Sequence, residues 1–498
     1  MRARRLLVFA FLPPCTKLPP MREIPGRPDL SKEELRRFAH EAVDWVVEYL
    51  TSFGEKPIQP QEPPARVFSL LREPLPEEGS TPGAVLREFV QRIVPFATDL
   101  QHPGNFAYIP NSTGVVGAVA DLLAATLNQN VSLVRGGASA AAVEAEVVRW
   151  LQSLLGFPEE GGGVLTSGGS LANLMGLGLA RERAGKGENR IFYISEETHS
   201  SIDRGLRFLG VPAEALRRLP ADDAFHLNPS VLREAIARDR ARGLLPAAVV
   251  ATAGTIGSGA VDPLEELAEV CRESGLWLHV DGAYGALAAA APGGAFLRAG
   301  LASADSLSLD PHKWLFVPID TSCLLVKDVA SMRRFFTLVP EYLKVSAAEQ
   351  EVPQPMESTI ELSRRFRALR LWMVLKAYGA EAIRGRIEEH LTLARKLASW
   401  IEADPAFELA APVETSTVAF RCVPATTLGP EDLDRLNEAM LDRLNREPGL
   451  FMSRNRLRGR FTLRACITSL RTTEEDVGRL WSACRKASAE LHPVSYPR

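Results

Sequence analysis

The sequence predicts an α/β protein: a parallel sheet flanked by helices, followed by a small α+β domain at the C-terminal end. Three observations carry that expectation. From about residue 140, amphipathic helical stretches alternate with short apolar runs rich in Val, Ile, Leu and Ala, the pattern of strands that feed crossover helices. After about residue 400 the order changes to strand, helix, strand. With 498 residues, 46% hydrophobic and 24% charged, the chain has apolar mass for several cores and too little polarity for wholesale disorder.

Residues 1–20 differ from the rest. Their basic start, short apolar run Leu6 to Leu12 and prolines superficially resemble a secretory signal, but the run is short and no small-residue cleavage site follows. Because Met21 opens ordinary sequence, a disordered leader or a mis-assigned start is the expected reading. Ser31-Lys-Glu-Glu34 is a capping box, and behind it Leu35, Phe38, Ala39, Ala42, Val43, Val46, Val47 and Leu50 recur at helical spacing. That apolar face packs on its own domain or on a second chain. Pro57, Pro60, Pro63, Pro64, Pro74, Pro76 and Pro82 predict an extended, turn-rich connector.

Next come a helix around Val143 to Leu155, a strand near Arg190 to Ile194, a strand Ala247 to Ala253, a helix Pro263 to Glu273, a strand Leu276 to Asp281 and a strand Thr321 to Val326. Helices Leu362 to Tyr378 and Ala380 to Ile401 lead to strands Thr417 to Cys422 and Phe461 to Ile467 around a helix Pro430 to Asn445. Fifty-eight basic against 61 acidic residues give a formal charge of −3, which argues against nucleic acid or an anionic membrane as the main partner. No run approaches the length of a membrane span. Six cysteines without a C-x-x-C pair form neither a disulfide framework nor a zinc pattern, so a cytoplasmic protein without a metal is expected.

Three segments carry chemistry. Thr166-Ser-Gly-Gly-Ser170-Leu-Ala-Asn173 opens a helical pattern; glycines beside Ser170 as N-cap would present backbone N–H groups to an anion such as phosphate. A Gly-Gly-Ser turn also serves as plain helix punctuation. Leu278-His279-Val280-Asp281-Gly282-Ala283 ends an apolar strand in a carboxylate with room for a flat ligand above it, or with an Asp that merely caps a turn. In Asp310-Pro-His312-Lys313-Trp314, an amine in apolar surroundings is either an activated nucleophile or a snorkelling surface lysine. A phosphate cradle, an acid at a strand end and a lysine are together what pyridoxal phosphate requires.

With His102-Pro-Gly-Asn-Phe-Ala-Tyr108, Thr198-His199-Ser-Ser201, Ala251-Thr-Ala-Gly-Thr255, Arg365-Phe-Arg-Ala-Leu-Arg-Leu-Trp372 and Arg464-Ala-Cys-Ile467 in order, the sequence resembles the group II pyridoxal-phosphate decarboxylases, the family of aromatic-L-amino-acid decarboxylase. The resemblance implies fold type I with a mixed seven-stranded sheet. It implies an N-terminal segment over 21–115 swapped between the subunits of a homodimer, a large cofactor domain over 116–386 and a small domain over 387–498, with active sites at the subunit interface. It also implies roles: Lys313 would hold the cofactor as an internal aldimine, His199 would stack on the ring, and Asp281 would keep the ring nitrogen protonated. Gly168, Gly169, Ser170 and Asp310 would lie near the phosphate, Thr255 and Ala283 against the cofactor, and His312 beside the lysine. Tyr108, Pro110 and Asn111 would line the substrate side.

The sequence departs from that family at one place. Its decarboxylases carry a proton-donating tyrosine on a loop after a Pro-x-Tyr-Leu element, here Pro340 to Leu343. No tyrosine occurs between Lys344 and Lys376, and the equivalent place falls near Pro355 or Met356. Decarboxylation of an L-amino acid to an amine is the expected reaction, with His199 or Tyr342 as alternative proton sources and oxidative decarboxylation-deamination to an aldehyde as the alternative outcome. Arg135 would suit an acidic substrate, or serve as a surface ion pair. A serine hydrolase using Ser170, Asp281 and His312, and a non-catalytic cofactor-binding module, are the competing readings. Arg364, Arg365, Arg367 and Arg370 are expected to be structural ion pairs.

Overall fold

The computed structural model describes residues 30–53, 57–185, 187, 189–338, 352–424 and 428–491. The expectations for residues 1–20, and for Pro340, Tyr342 and their neighbours, therefore lie outside the described residues.

Helix α1 (Lys32–Thr51) starts on the expected capping box: the Ser31 hydroxyl accepts from the Glu34 N–H, and the Glu34 carboxylate accepts from the Ser31 N–H at 2.9 Å. The proline-rich stretch is not merely a connector. Pro64 and Pro82 stand in the first turns of α2 (Pro64–Leu71) and α3 (Pro82–Glu88), where a missing N–H costs nothing and a fixed φ favours the helix. Helices α4 (Val115–Leu127) and α5 (Val134–Leu155) lead into the sheet.

The large domain continues with β1 (Gly162–Thr166), α6 (Gly169–Arg183), β2 (Arg190–Ser195), α7 (Ser200–Phe208), β3 (Leu216–Leu219), α8 (Pro229–Ala241) and β4 (Leu245–Thr252). It is completed by α9 (Leu264–Ser274), β5 (Trp277–Asp281), α10 (Leu297–Ser303), β6 (Ser306–Leu309), α11 (Pro311–Trp314), β7 (Ser322–Val326) and α12 (Val329–Phe336). Seven strands lie in the order β1-β7-β6-β5-β4-β2-β3. The sheet is mixed rather than parallel, since β7 runs antiparallel to both β1 and β6. The segment from β6 to β7 holds one short helical turn, too little for the crossover that a parallel neighbour needs. Strands β4 and β5 read as continuous apolar runs because helices cover both faces.

Helix α13 (Ala368–Glu402) is one element interrupted at Gly379, whose φ of +80° a side chain would strain, and it begins after residues 362–367 rather than at Leu362. Its Leu371, Leu375 and Leu391 belong to the large-domain core, and Leu393, Leu397 and Ile401 to a second core. That second core lies under the antiparallel sheet β10-β11-β9-β8, formed by β8 (Phe407–Leu409), β9 (Thr417–Cys422), β10 (Ser453–Leu457) and β11 (Arg460–Cys466), with α14 (Pro430–Leu444) and α15 (Glu474–Leu491) packed on it.

The arginines are structural pairs. The Arg364 guanidinium is buried against Glu144 at 2.5 Å, Arg367 binds Asp320 and Glu361, and Arg365 and Arg370 share Asp121 and Asp320. No described helix is long and apolar enough to cross a membrane, and no described cluster of His, Cys, Asp and Glu could hold a metal. The five described cysteines are free and buried.

Candidate active site

Strands β4, β5 and β6 end at one edge of the sheet, and that edge gathers most of the sequence-predicted residues. Asp281 is the last residue of β5 and is buried. Its Oδ2 accepts from Asn173 Nδ2 at 2.9 Å, and its Oδ1 accepts from the Ala283 N–H at 3.2 Å and from Ser308 Oγ at 3.4 Å. Gly254, at φ +88°, packs its turn onto Gly285, where an added Cβ would come within 2.9 Å of backbone. Thr255 sits on that turn, its hydroxyl engaged with Ser258 and with the Ala260 N–H.

One strand over, β6 delivers α11. Lys313 Nζ lies 2.9 Å from Asp310 Oδ2, and Ser322 Oγ donates to Asp310 Oδ1. A Cβ on Gly169 would fall 2.8 Å from the same carboxylate, so only glycine lets Asp310, and with it Lys313, approach the start of α6. Ser170 is not the cap expected of it: the N-cap is Gly168, Ser170 is already in the first turn, and no side chain caps the helix. An uncapped helix N-terminus is better suited to a phosphate than a capped one, because its N–H groups are left to the ligand.

His312 flanks Lys313 with Nδ1 2.8 Å from the Thr321 carbonyl and Nε2 3.7 Å from Asp310. Burial lowers its pKa. Behind the lysine, Trp314 stacks on Tyr284 at 5.2 Å, and its indole N–H donates to His390 Nδ1 at 2.8 Å. His390 is held neutral by burial and reaches the Ser469 carbonyl at 3.0 Å, tying the lysine turn to the small domain.

His199 is the N-cap of α7. Its Nδ1 accepts from the Ser201 N–H at 3.2 Å and lies 2.9 Å from Ser201 Oγ, while the ring itself is exposed. Residues 108–114 run between the small domain and the turn after Lys313: the Gly114 N–H donates to the Phe316 carbonyl at 3.4 Å, and Thr468 Oγ1 donates to the Pro110 carbonyl at 2.9 Å. Tyr108, at φ +52°, is exposed, and its carbonyl accepts from Arg464. Asn111 is half-buried. Pro355 and Met356 lie on a short turn whose Met356 is buried, with its N–H donating to the Ser132 carbonyl at 2.9 Å.

A hydrolase triad is not assembled. Asp281 bonds Asn173, Ala283 and Ser308, His312 bonds Thr321, and Ser170 is exposed on α6. The donor set instead fits pyridoxal phosphate: a primary amine, a buried carboxylate one strand away, an uncapped helix N-terminus and an exposed imidazole.

The model of the "Pyridoxal-dependent decarboxylase conserved domain" matches residues 64–423. The chain belongs to the pyridoxal-phosphate-dependent decarboxylases. This decarboxylase is 35% identical over 471 residues to the aromatic-L-amino-acid decarboxylase of Bacillus atrophaeus, spanning 94% of this chain and 98% of the relative. It is 34% identical over 478 residues to the phenylacetaldehyde synthase of Arabidopsis thaliana, spanning 93% and 97%. Its fold matches the crystal structure of Oryza sativa TDC with PLP and tryptamine at a TM-score of 0.89 and 30% identity, covering 93% and 99% of the two chains. The decarboxylase is thus a carboxy-lyase of fold type I with pyridoxal phosphate as cofactor.

Sequence reasoning passed over three polar side chains that meet at this edge. In the sequence Asn173 and Ser201 fall inside motifs without a part of their own, and His279 is a strand residue. The signal was available in one respect: three buried polar residues within otherwise apolar segments each need a partner.

Proposed function

We propose that this enzyme converts an L-amino acid to its amine and carbon dioxide, with Lys313 as the amine that holds the cofactor. The observation that carries the reading is the juxtaposition of buried Asp281 at the end of β5 with Lys313 just past β6, opposite the uncapped start of α6. Bound there, pyridoxal phosphate supplies an electron sink for the pair left when a carboxylate departs. Asp281 accepts the hydrogen bond of the ring nitrogen and so holds that proton in place. Gly168, Gly169 and Ser170 would give backbone N–H groups to the phosphate, Ala283 and Thr255 would lie against the cofactor, and Asp310 would steer the lysine. His199 would stack on the ring and hold its orientation relative to the bond that breaks. Asp310 receives the Lys313 ammonium when the amine is free, as its 2.9 Å contact supports. Tyr108, Pro110 and Asn111 form the substrate wall.

The enzyme acts as a cytoplasmic homodimer with its active sites at the interface. Unpartnered apolar side chains on α1 (Leu35, Val43, Val47), α2 (Phe68) and α4 (Leu122, Leu127), all exposed in the single chain, support this. The division into a swapped segment 21–115, a cofactor domain 116–386 and a small domain 387–498 belongs to the same proposal.

A second reading, oxidative decarboxylation to an aldehyde, rests on the tyrosine-free stretch from Lys344 to Lys376 and on the similarity to a phenylacetaldehyde synthase. A panel of amino acids assayed for carbon dioxide, amine, oxygen uptake and peroxide decides between them. Amine equal to carbon dioxide with no oxygen consumed supports decarboxylation; aldehyde with peroxide defeats it. No carbon dioxide from any amino acid would leave a cofactor-binding module.

A further inference from the structure

The Asp281 carboxylate and the His199 imidazole, which the functional reading places at the ring nitrogen and over the ring face, are joined by one side chain. Asn173 is buried on α6, and its Nδ2 reaches Asp281 Oδ2 at 2.9 Å and Ser201 Oγ at 3.0 Å. Its Oδ1 lies 2.9 Å from His279 Nε2.

Each donor and acceptor in this chain follows from the carboxylate. An ionised carboxylate only accepts, so the amide group facing Asp281 is the NH2, and Oδ1 faces His279. His279 Nε2 must then carry a hydrogen. The ring is wholly buried, and burial pushes its pKa down to about 4, so it is neutral and its Nδ1 is bare. That Nδ1 accepts from Ser306 Oγ at 2.8 Å, and Ser306 Oγ itself accepts from the Trp277 indole N–H at 2.8 Å. On the other arm, the second amide hydrogen of Asn173 goes to Ser201 Oγ, which turns the Ser201 hydrogen toward His199 Nδ1 at 2.9 Å. The Ser201 backbone N–H points at the same nitrogen. Nδ1 of His199 is therefore an acceptor twice over, and the proton of the neutral ring sits on Nε2.

We infer that Asn173, oriented by His279, is a positioning residue: one amide group fixes the orientation of the Asp281 carboxylate and, through the Ser201 hydroxyl, adds a second donor to His199 Nδ1 beside the Ser201 backbone N–H. Gly176 belongs to the same device, because a Cβ there would come within 2.7 Å of the His279 ring. The inference rests on the functional reading only for its catalytic consequence. The hydrogen-bond polarity stands with or without cofactor.

The test is nitrogen-15 NMR of histidine-labelled protein, with and without pyridoxal phosphate, the His199 and His279 signals being assigned by their loss in His199→Asn and His279→Gln. Both rings are expected to carry a hydrogen on Nε2 and none on Nδ1, in both forms. His199 protonated at Nδ1 overturns the inference, and His199→Gln supplies the assignment should His199→Asn fail to fold. In the holoenzyme, Asn173→Leu is expected to lower kcat by on the order of 10- to 100-fold. His279→Leu should do the same, whereas His279→Gln, which keeps an N–H near the Nε2 position, should recover kcat to within about threefold. Equal losses for Leu and Gln at position 279, or an unchanged kcat in Asn173→Leu, would reduce these residues to packing and overturn the proposal. A chain that takes up no pyridoxal phosphate sinks the functional reading instead and leaves the tautomer result standing.

Discussion

The sheet edge and the N-terminal segment differ in how far one chain satisfies them. At the edge, Asp281, Asp310 and His199 all have partners within the chain, and Asn173, His279 and Ser306 are buried in one connected set of hydrogen bonds. In the N-terminal segment, α1 buries only Leu50, while Phe68 and Leu75 are each more than 80% exposed. Polar chemistry at the edge is preorganised before any partner arrives, whereas the apolar faces of the segment have a pattern that only another surface can complete. One chain thus supplies the polar groups of the edge, while the apolar faces of its N-terminal segment stay exposed.

The contrast can be broken first at the edge. Lys313→Ala is expected to abolish turnover, with a loss on the order of 10⁴-fold or more in kcat; single-turnover assays on cofactor-loaded protein check this, and residual activity near that of the unaltered enzyme would refute the assignment. Asp281→Asn comes next. It removes the carboxylate proposed to face the ring nitrogen, and the expected loss is about 10²- to 10³-fold in kcat, with circular dichroism showing the fold retained.

At the N-terminal segment the expected effect is on assembly rather than chemistry. Val43→Asp with Val47→Asp puts two charges on the exposed face of α1 and should convert a dimer to monomer in sedimentation, with activity that rises with protein concentration. A dimer of unchanged stability would show that this face does not serve the interface.

The smallest expected effect lies at the seam between the domains. His226 Nε2 is 2.7 Å from Glu414, which also accepts from the Val261 N–H at 2.8 Å. The Glu414 hydrogen bond, opposed by burial and aided by the charges of Glu414, Asp222 and Asp262, raises the His226 pKa above its ordinary 6.5. A raised folded-state value means the stabilisation is complete below pH 6.5 and is lost as pH climbs through the raised value. Glu414→Gln should therefore cost about 2 kcal/mol at pH 6 and under about 1 kcal/mol at pH 9 by urea denaturation; an equal cost at both values would show that the pair does not titrate.

Much of this was legible in the sequence. Short apolar runs marked β4, β5 and β9, and period-3.6 apolar patterns marked α9 and α14, to within a residue or two, because those elements bury both faces or one. The capping box of α1 was legible because it is local. Strand direction was not legible in the apolar pattern, although the resemblance implies a mixed sheet: β7 turns antiparallel for want of a crossover helix. The prolines of α2 and α3 read as breakers because the same residue both ends and begins helices. An ordered set of motifs singles out Lys313, Asp281 and His199 in the sequence but not their hydrogen-bond partners, since the pairing of Asn173 with Asp281 spans 108 residues of chain. Ser170 was misplaced as a cap for the opposite reason: capping chemistry is local, but here the helix start is left open.

The most direct test of the central claim, that Asp281 and Lys313 form one pyridoxal-phosphate site, is borohydride reduction of the cofactor-loaded protein followed by peptide mass spectrometry. The account predicts a visible chromophore that borohydride removes and a reduced pyridoxyl group on Lys313, with the Lys313→Ala protein unlabelled. No chromophore, or label on a different lysine, would contradict it.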